Sequence, residues 1–147
     1  AAIRGHDAVV SCLGSSRGTK KTTELREMAA HLVAGMQEHG VERIVYTASA
    51  GIHREIPGIA GKLVMAMLKN VLEDHRAAVD LIRESGLNYT IVRPLGLTDR
   101  PFMGVYRESL DGVPGKSWSI PRADVAHFIL KALRDPRYDR TSVGIAT

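Results

Sequence analysis

Arg43-Ile-Val-Tyr-Thr-Ala-Ser-Ala50, led in by Gly40-Val-Glu42 and closed by Gly51, is the stretch on which the fold turns. It is a short apolar run without alternation, the pattern of a strand buried on both faces of a parallel sheet. Such a strand needs helices around it, so its flanks decide the matter. Upstream, from about Thr23, Leu25, Met28, Leu32 and Met36 recur on one face at the helical period. Thr22 or Thr23 is placed to cap that helix, Glu24 and Glu27 suit the positive end of its dipole, and Gly40 ends it. Before it, Asp7-Ala-Val-Val-Ser-Cys-Leu-Gly14 is another buried-strand pattern, followed by a polar loop over residues 15–22.

The downstream flank repeats the alternation. Residues 51–61, with Pro57, Gly58 and Gly61, read as a loop, and a helical stretch runs from about Lys62 to Ser85 with a break near residues 70–74. Asn88-Tyr-Thr-Ile-Val-Arg93 is a third strand, ended by Pro94. Residues 96–115 are rich in Gly and Pro and read as loop, with Lys116-Ser-Trp-Ser-Ile120 as a short extended piece. Residues 124–133 form an amphipathic helix with Val125, Phe128, Ile129 and Leu133 inward, and Ser142-Val-Gly-Ile-Ala146 is a weak last strand. Strands alternating with helices make this an α/β chain with a doubly wound parallel sheet of Rossmann type. Residues 1–147 read as one domain, and residues 1–6 as the end of a helix and a turn.

Composition narrows the function classes. The 44% hydrophobic and 24% charged fractions are those of a globular chain. No apolar run approaches the roughly 18 residues of a membrane span, and the amino terminus lacks the basic start and apolar stretch of a secretion signal. A single cysteine, Cys12, rules out an internal disulfide framework and points to the reducing cytoplasm. The net charge of +4 is spread among acidic neighbours, as in Glu42/Arg43 and Arg83/Glu84, and this argues against nucleic acid as a partner. The six histidines show no paired ligand spacing, so no metal is expected. Trp118 and Tyr106 are candidate pocket aromatics, each as readily explained by packing.

Five pieces taken together resemble a known family. The stretches 7–14, 40–51 and 85–94, with Asp99-Arg-Pro-Phe-Met-Gly-Val-Tyr106 and Ile120-Pro-Arg-Ala-Asp-Val-Ala-His127, resemble the atypical short-chain dehydrogenase/reductases, with their NmrA-like and biliverdin/flavin-reductase members. The resemblance implies a dinucleotide-binding domain of which this chain is the carboxyl-terminal portion, its first βαβ units and glycine loop lying ahead of residue 1. No Gly-x-Gly-x-x-Gly pattern occurs in the sequence.

In folds of this kind, ligands sit beyond the carboxyl ends of the strands. The resemblance therefore implies that Leu13, Gly14, Ser15 and Arg17, then Thr47 and Ala48, then Pro94, Leu95, Gly96 and Leu97 line a site for NADP or NAD. Ser49 falls where many short-chain reductases carry an active-site hydroxyl. The usual Tyr-x-x-x-Lys pair is missing, because Val71 stands at the Tyr place and His75 at the Lys place. His75 titrates near neutrality and is a candidate proton donor or a polar helix residue. The expected activity is NAD(P)H-dependent hydride transfer to a flavin-like or other small acceptor. The alternative is a non-catalytic NmrA-like redox sensor that acts through a protein partner.

Overall fold

A computed structural model of the chain describes residues 2–110 and 112–147. Its main sheet has five strands: β1 (Ala8–Ser11), β2 (Arg43–Thr47), β3 (Asn88–Pro94), β7 (Thr141–Ala146) and β5 (Arg107–Ser109), in that spatial order. The first four run parallel and β5 is antiparallel to β7. A small second sheet pairs β4 (Gly96–Thr98) with β6 (Ser119–Pro121). The helices are α1 (Glu24–His39), α2 (Gly58–Met67), α3 (Lys69–Glu84) and α4 (Arg122–Arg134).

Successive strand residues point to opposite faces, which divides the core into two layers. Ile44, Tyr46 and Ile91 pack with Leu25, Ala29 and Met36 of α1 and Val79 and Ile82 of α3. Val45 and Val92 face the other way, against Phe128, Ile129 and Ala132 of α4. β2 and β3 are thus covered on both sides, as their unbroken apolar runs required, whereas β1 departs from that expectation, with Val9 packed in the first layer and Val10 exposed on the other face.

The structure corrects several details of the sequence reading. Residues 2–6 form a turn and no helix, while Ala1 lies outside the described residues. The long helical stretch is two helices, and the break falls at Leu68 rather than at residues 70–74. Asp74 and His75 are polar, yet both are buried within α3. Nor is residue 58 onward a loop: Pro57 holds the extended conformation that precedes α2. Gly61 sits where a Cβ would come within 2.7 Å of the Ile56 carbonyl oxygen, so only glycine lets that turn close.

Of the two threonines expected to cap α1, the structure selects Thr22. The Thr22 hydroxyl accepts the Glu24 N–H at 3.0 Å, and Thr23 makes no side-chain cap bond. The deeper orphan donors go to Asp74, whose two oxygens accept the N–H groups of Leu25 and Arg26, each at 3.1 Å. At the other end of the chain, the weak last strand is an internal one. Gly144 blunts its apolar pattern because a Cβ there would lie 2.6 Å from the Gly112 carbonyl oxygen.

Candidate functional site

Parallel pairing puts the carboxyl ends of β1, β2 and β3 on one edge of the sheet. Beyond Thr47 the chain leaves regular strand geometry but keeps its register, with Ala48 and Ala50 N–H groups donating to the Val92 and Pro94 carbonyls at 2.8 and 2.9 Å. Residues 47–50 therefore lie alongside residues 92–95. Cys12, just past β1, brings its sulfur to 3.6 Å from the Thr47 hydroxyl, so the first strand end joins the same rim.

The individual side chains are less uniform. Ser49 is half-buried, and its hydroxyl donates to the Ala50 carbonyl at 3.0 Å, a weak local partner that a ligand can displace. Ala48 and Leu95 are buried and form the apolar floor between the strand ends. Leu13 and Leu97 are exposed on the rim. Gly14 is exposed, with open space where a Cβ would project, so the backbone there is accessible.

Two residues expected to line the cofactor site are engaged elsewhere. The Ser15 hydroxyl donates to Glu24 at 3.0 Å, and Arg17 pairs with the same carboxylate at 3.2 Å. Hydrogen bonds from Ser16 and Ser15 hold the Glu24 carboxyl below its ordinary range. Gly96 likewise has an internal explanation, because a Cβ would lie 2.9 Å from the Trp118 carbonyl oxygen where β4 meets β6. Trp118 itself is largely exposed, and Tyr106 bonds His127 at 2.8 Å.

His75 lies inside the layer between α3 and β2, its ring edge-on to Tyr46 with centroids 6.5 Å apart. Its Nδ1 and the Tyr46 hydroxyl are buried without hydrogen-bond partners among the described residues. Burial lowers the His75 pKa, with the Asp74 charge opposing, so the ring is neutral at neutral pH. Burial, reinforced by Asp74, pushes Tyr46 up to about 12.

The sequence reading missed the latch on the loop after β2. Arg93 of β3 is buried and forms an ion pair with Glu55. It also donates to the Ser142 hydroxyl at 2.9 Å and to the Gly112 carbonyl at 3.0 Å. An arginine at the end of an apolar strand, with a carboxylate in the preceding loop, was the available signal.

A parallel sheet carrying this rim, with helices on both faces, defines a dinucleotide-binding α/β protein of Rossmann type. Over residues 1–136 the chain matches the NAD(P)H-binding family, and it belongs to that family. Its fold is similar to that of a short-chain dehydrogenase/reductase from Veillonella parvula DSM 2008 in complex with NADP, at 23% identity and TM-score 0.83 over 99% of this chain and 65% of that one. A Rossmann-fold NAD(P)-binding family protein from Shigella flexneri shares 27% identity with TM-score 0.74, over 99% of this chain and 62% of the other. ChuY, an anaerobilin reductase from Escherichia coli O157:H7, is similar at 19% identity and TM-score 0.73, over 93% of this chain and 63% of its own. The chain thus spans somewhat under two thirds of the length of these structures.

NAD or NADP is the cofactor that goes with this family. The rim offers an apolar floor at Ala48 and Leu95, a displaceable hydroxyl at Ser49 and open backbone at Gly14. Among the described residues no group of His, Cys, Asp and Glu is arranged to hold a metal ion, and no helix is long and apolar enough to cross a membrane.

Proposed function

We propose that this chain is part of a cytoplasmic NAD(P)H-dependent oxidoreductase that passes hydride to a flavin-like or other small acceptor. The observation that carries the reading is the hydrogen-bonded register of residues 47–50 against residues 92–95, which sets a hydroxyl beside an apolar floor at the strand ends. When bound, NAD(P)H supplies a hydride, and the oxidised nicotinamide leaves as product.

In this reading Ser49 is the catalytic hydroxyl: it turns from the Ala50 carbonyl and donates to the acceptor or to the carboxamide of the ring. Ala48 and Leu95 exclude water from the ring face, while Thr47, Pro94, Gly96 and Leu97 border the ring. Leu13, Gly14 and Ser15 offer backbone toward the ribose, and Arg17 reaches a phosphate only by leaving Glu24. His75, neutral and buried against the Tyr46 ring, stands behind the site as a polar helix residue, and the proton that accompanies the hydride comes from solvent.

Val71 at the place of the usual tyrosine favours a second reading, a non-catalytic redox sensor with a protein partner. Mixing the protein of which this chain is part with NADPH and FMN under anaerobic conditions, and following loss of the reduced nicotinamide absorbance, separates the two. Oxidation of NADPH with matching reduction of FMN supports the reductase. Cofactor binding with no oxidation in the presence of FMN, riboflavin or a quinone would sink it and leave the sensor.

A further inference from the structure

Two residues beyond Ser49 the chain enters a cavity of about 270 Å³ between the loop after β2 and helices α2 and α3. That is near the lower end of small-molecule sites. Its floor is apolar, formed by Ile52, Met65 and Leu72 beside Gly51. Its rim is cationic: Arg54, Lys62, Lys69 and Arg76 line it, against the single carboxylate of Glu73. Glu73 stands 3.8 Å from Lys69, while Arg54, Lys62 and Arg76 are exposed and make no ion pair among the described residues. Lys62, Lys69 and Arg76 recur every seven residues, which keeps them on one side across the α2–α3 break. Arg54 comes from the opposite wall, held at a positive φ of 60°.

An apolar floor ringed by unpaired cations suits a ligand with an apolar body and an acidic end. Like charges gathered on one small opening repel one another unless an anion enters between them. We infer that this cavity binds the acidic end of the acceptor, an organic anion whose phosphate or carboxylate meets Arg54, Lys62 and Arg76 while its body extends over Gly51 toward Ser49. The inference rests on the reading of the rim as the acceptor site, and it names the class of acceptor.

FMN and riboflavin share one ring system and differ by a phosphate, so they form a matched pair of probes. Titration of the chain with each, read by flavin fluorescence at low salt and without nicotinamide cofactor, tests the cavity apart from turnover. FMN should bind about fivefold tighter than riboflavin or better, the scale of one or two solvent-exposed charge contacts. The double substitution Arg54→Gln/Arg76→Gln should bring the two affinities together, while Arg134→Gln, an exposed cation at the end of α4, should leave the preference intact. Inorganic phosphate should displace FMN only at much higher concentration, because it gains nothing from the apolar floor. Equal affinities in the unaltered chain, a preference that survives the double substitution, its loss in Arg134→Gln, or phosphate as potent as FMN would each overturn the inference. Failure here leaves hydride transfer to a neutral acceptor standing, and failure of hydride transfer leaves this binding result standing.

Discussion

Asp74 and Leu25 lie 49 residues apart in the chain, and a carboxylate oxygen of the first accepts the backbone N–H of the second at 3.1 Å. With the matching bond to Arg26, one buried side chain of α3 closes the amino end of α1 and locks two helices of the same layer together. Replacing Asp74 by Ala leaves two helix donors without an acceptor at a largely buried position. The expected loss is about 1–3 kcal/mol, with Asp74→Asn losing less because one oxygen remains. Urea unfolding of both variants measures this, and an unchanged midpoint for Asp74→Ala would contradict the cap.

Glu55→Gln tests the latch. Desolvation pushes the Glu55 carboxyl up, but hydrogen bonds from its own N–H and from Gly51, followed by the Arg93 charge and hydrogen bond, outweigh it and set the pKa below the usual value. A depressed folded pKa means that the contribution is complete above the unfolded carboxylate pKa and is lost as pH falls through the folded value. The unaltered chain should therefore lose stability on acidification below about pH 4, and Glu55→Gln should show a flatter acid limb. At neutral pH the substitution should cost on the order of 3 kcal/mol, since it leaves the buried Arg93 without its counter-charge. Denaturant midpoints collected across pH decide the matter; parallel curves for the two proteins would count against it.

Ser49→Ala should lower kcat with FMN by about tenfold or more, since a donor aimed at the reacting group acts mainly in the transition state. NADPH affinity should change little. Stopped-flow reduction together with a cofactor titration reads both, and a weaker NADPH complex at unchanged kcat would make Ser49 a binding residue only.

Gly96→Ala separates packing from ligand contact. The new Cβ would meet the Trp118 carbonyl, so β4 and β6 must move apart. A loss of about 1–3 kcal/mol in thermal or chemical unfolding is expected, the scale of overpacking. If cofactor binding fell while stability held, the glycine would instead be serving the ring.

Much of this architecture is legible in the sequence. The strands around Val45 and Ile91 are buried by helices on both faces, and that leaves an unbroken apolar signature; β1 shows the same signature although Val10 is exposed on its other face. β7 was faint because Gly144, required by a neighbouring carbonyl, contributes no apolar side chain. Asp74 and His75 look like surface residues in sequence, because a polar side chain carries no mark of the distant helix end or ring that it will meet. The rim was legible from strand ends alone. The engagement of Ser15 and Arg17 by Glu24 was not, since an ion pair across a loop depends on how that loop folds back.

The latch also bears on the order in which the molecule can be completed during synthesis. Arg93 holds the loop after β2 through Glu55, but it is itself braced by Ser142 on the strand that closes the sheet. A chain emerging amino end first has made residues 47–57 long before residue 142 exists. Until then Arg93 lacks one of its anchors, and the loop beside Ser49 waits with it. Ribosome-bound intermediates should accordingly be cut by protease within residues 51–57, and that cleavage should disappear once β7 has left the exit tunnel.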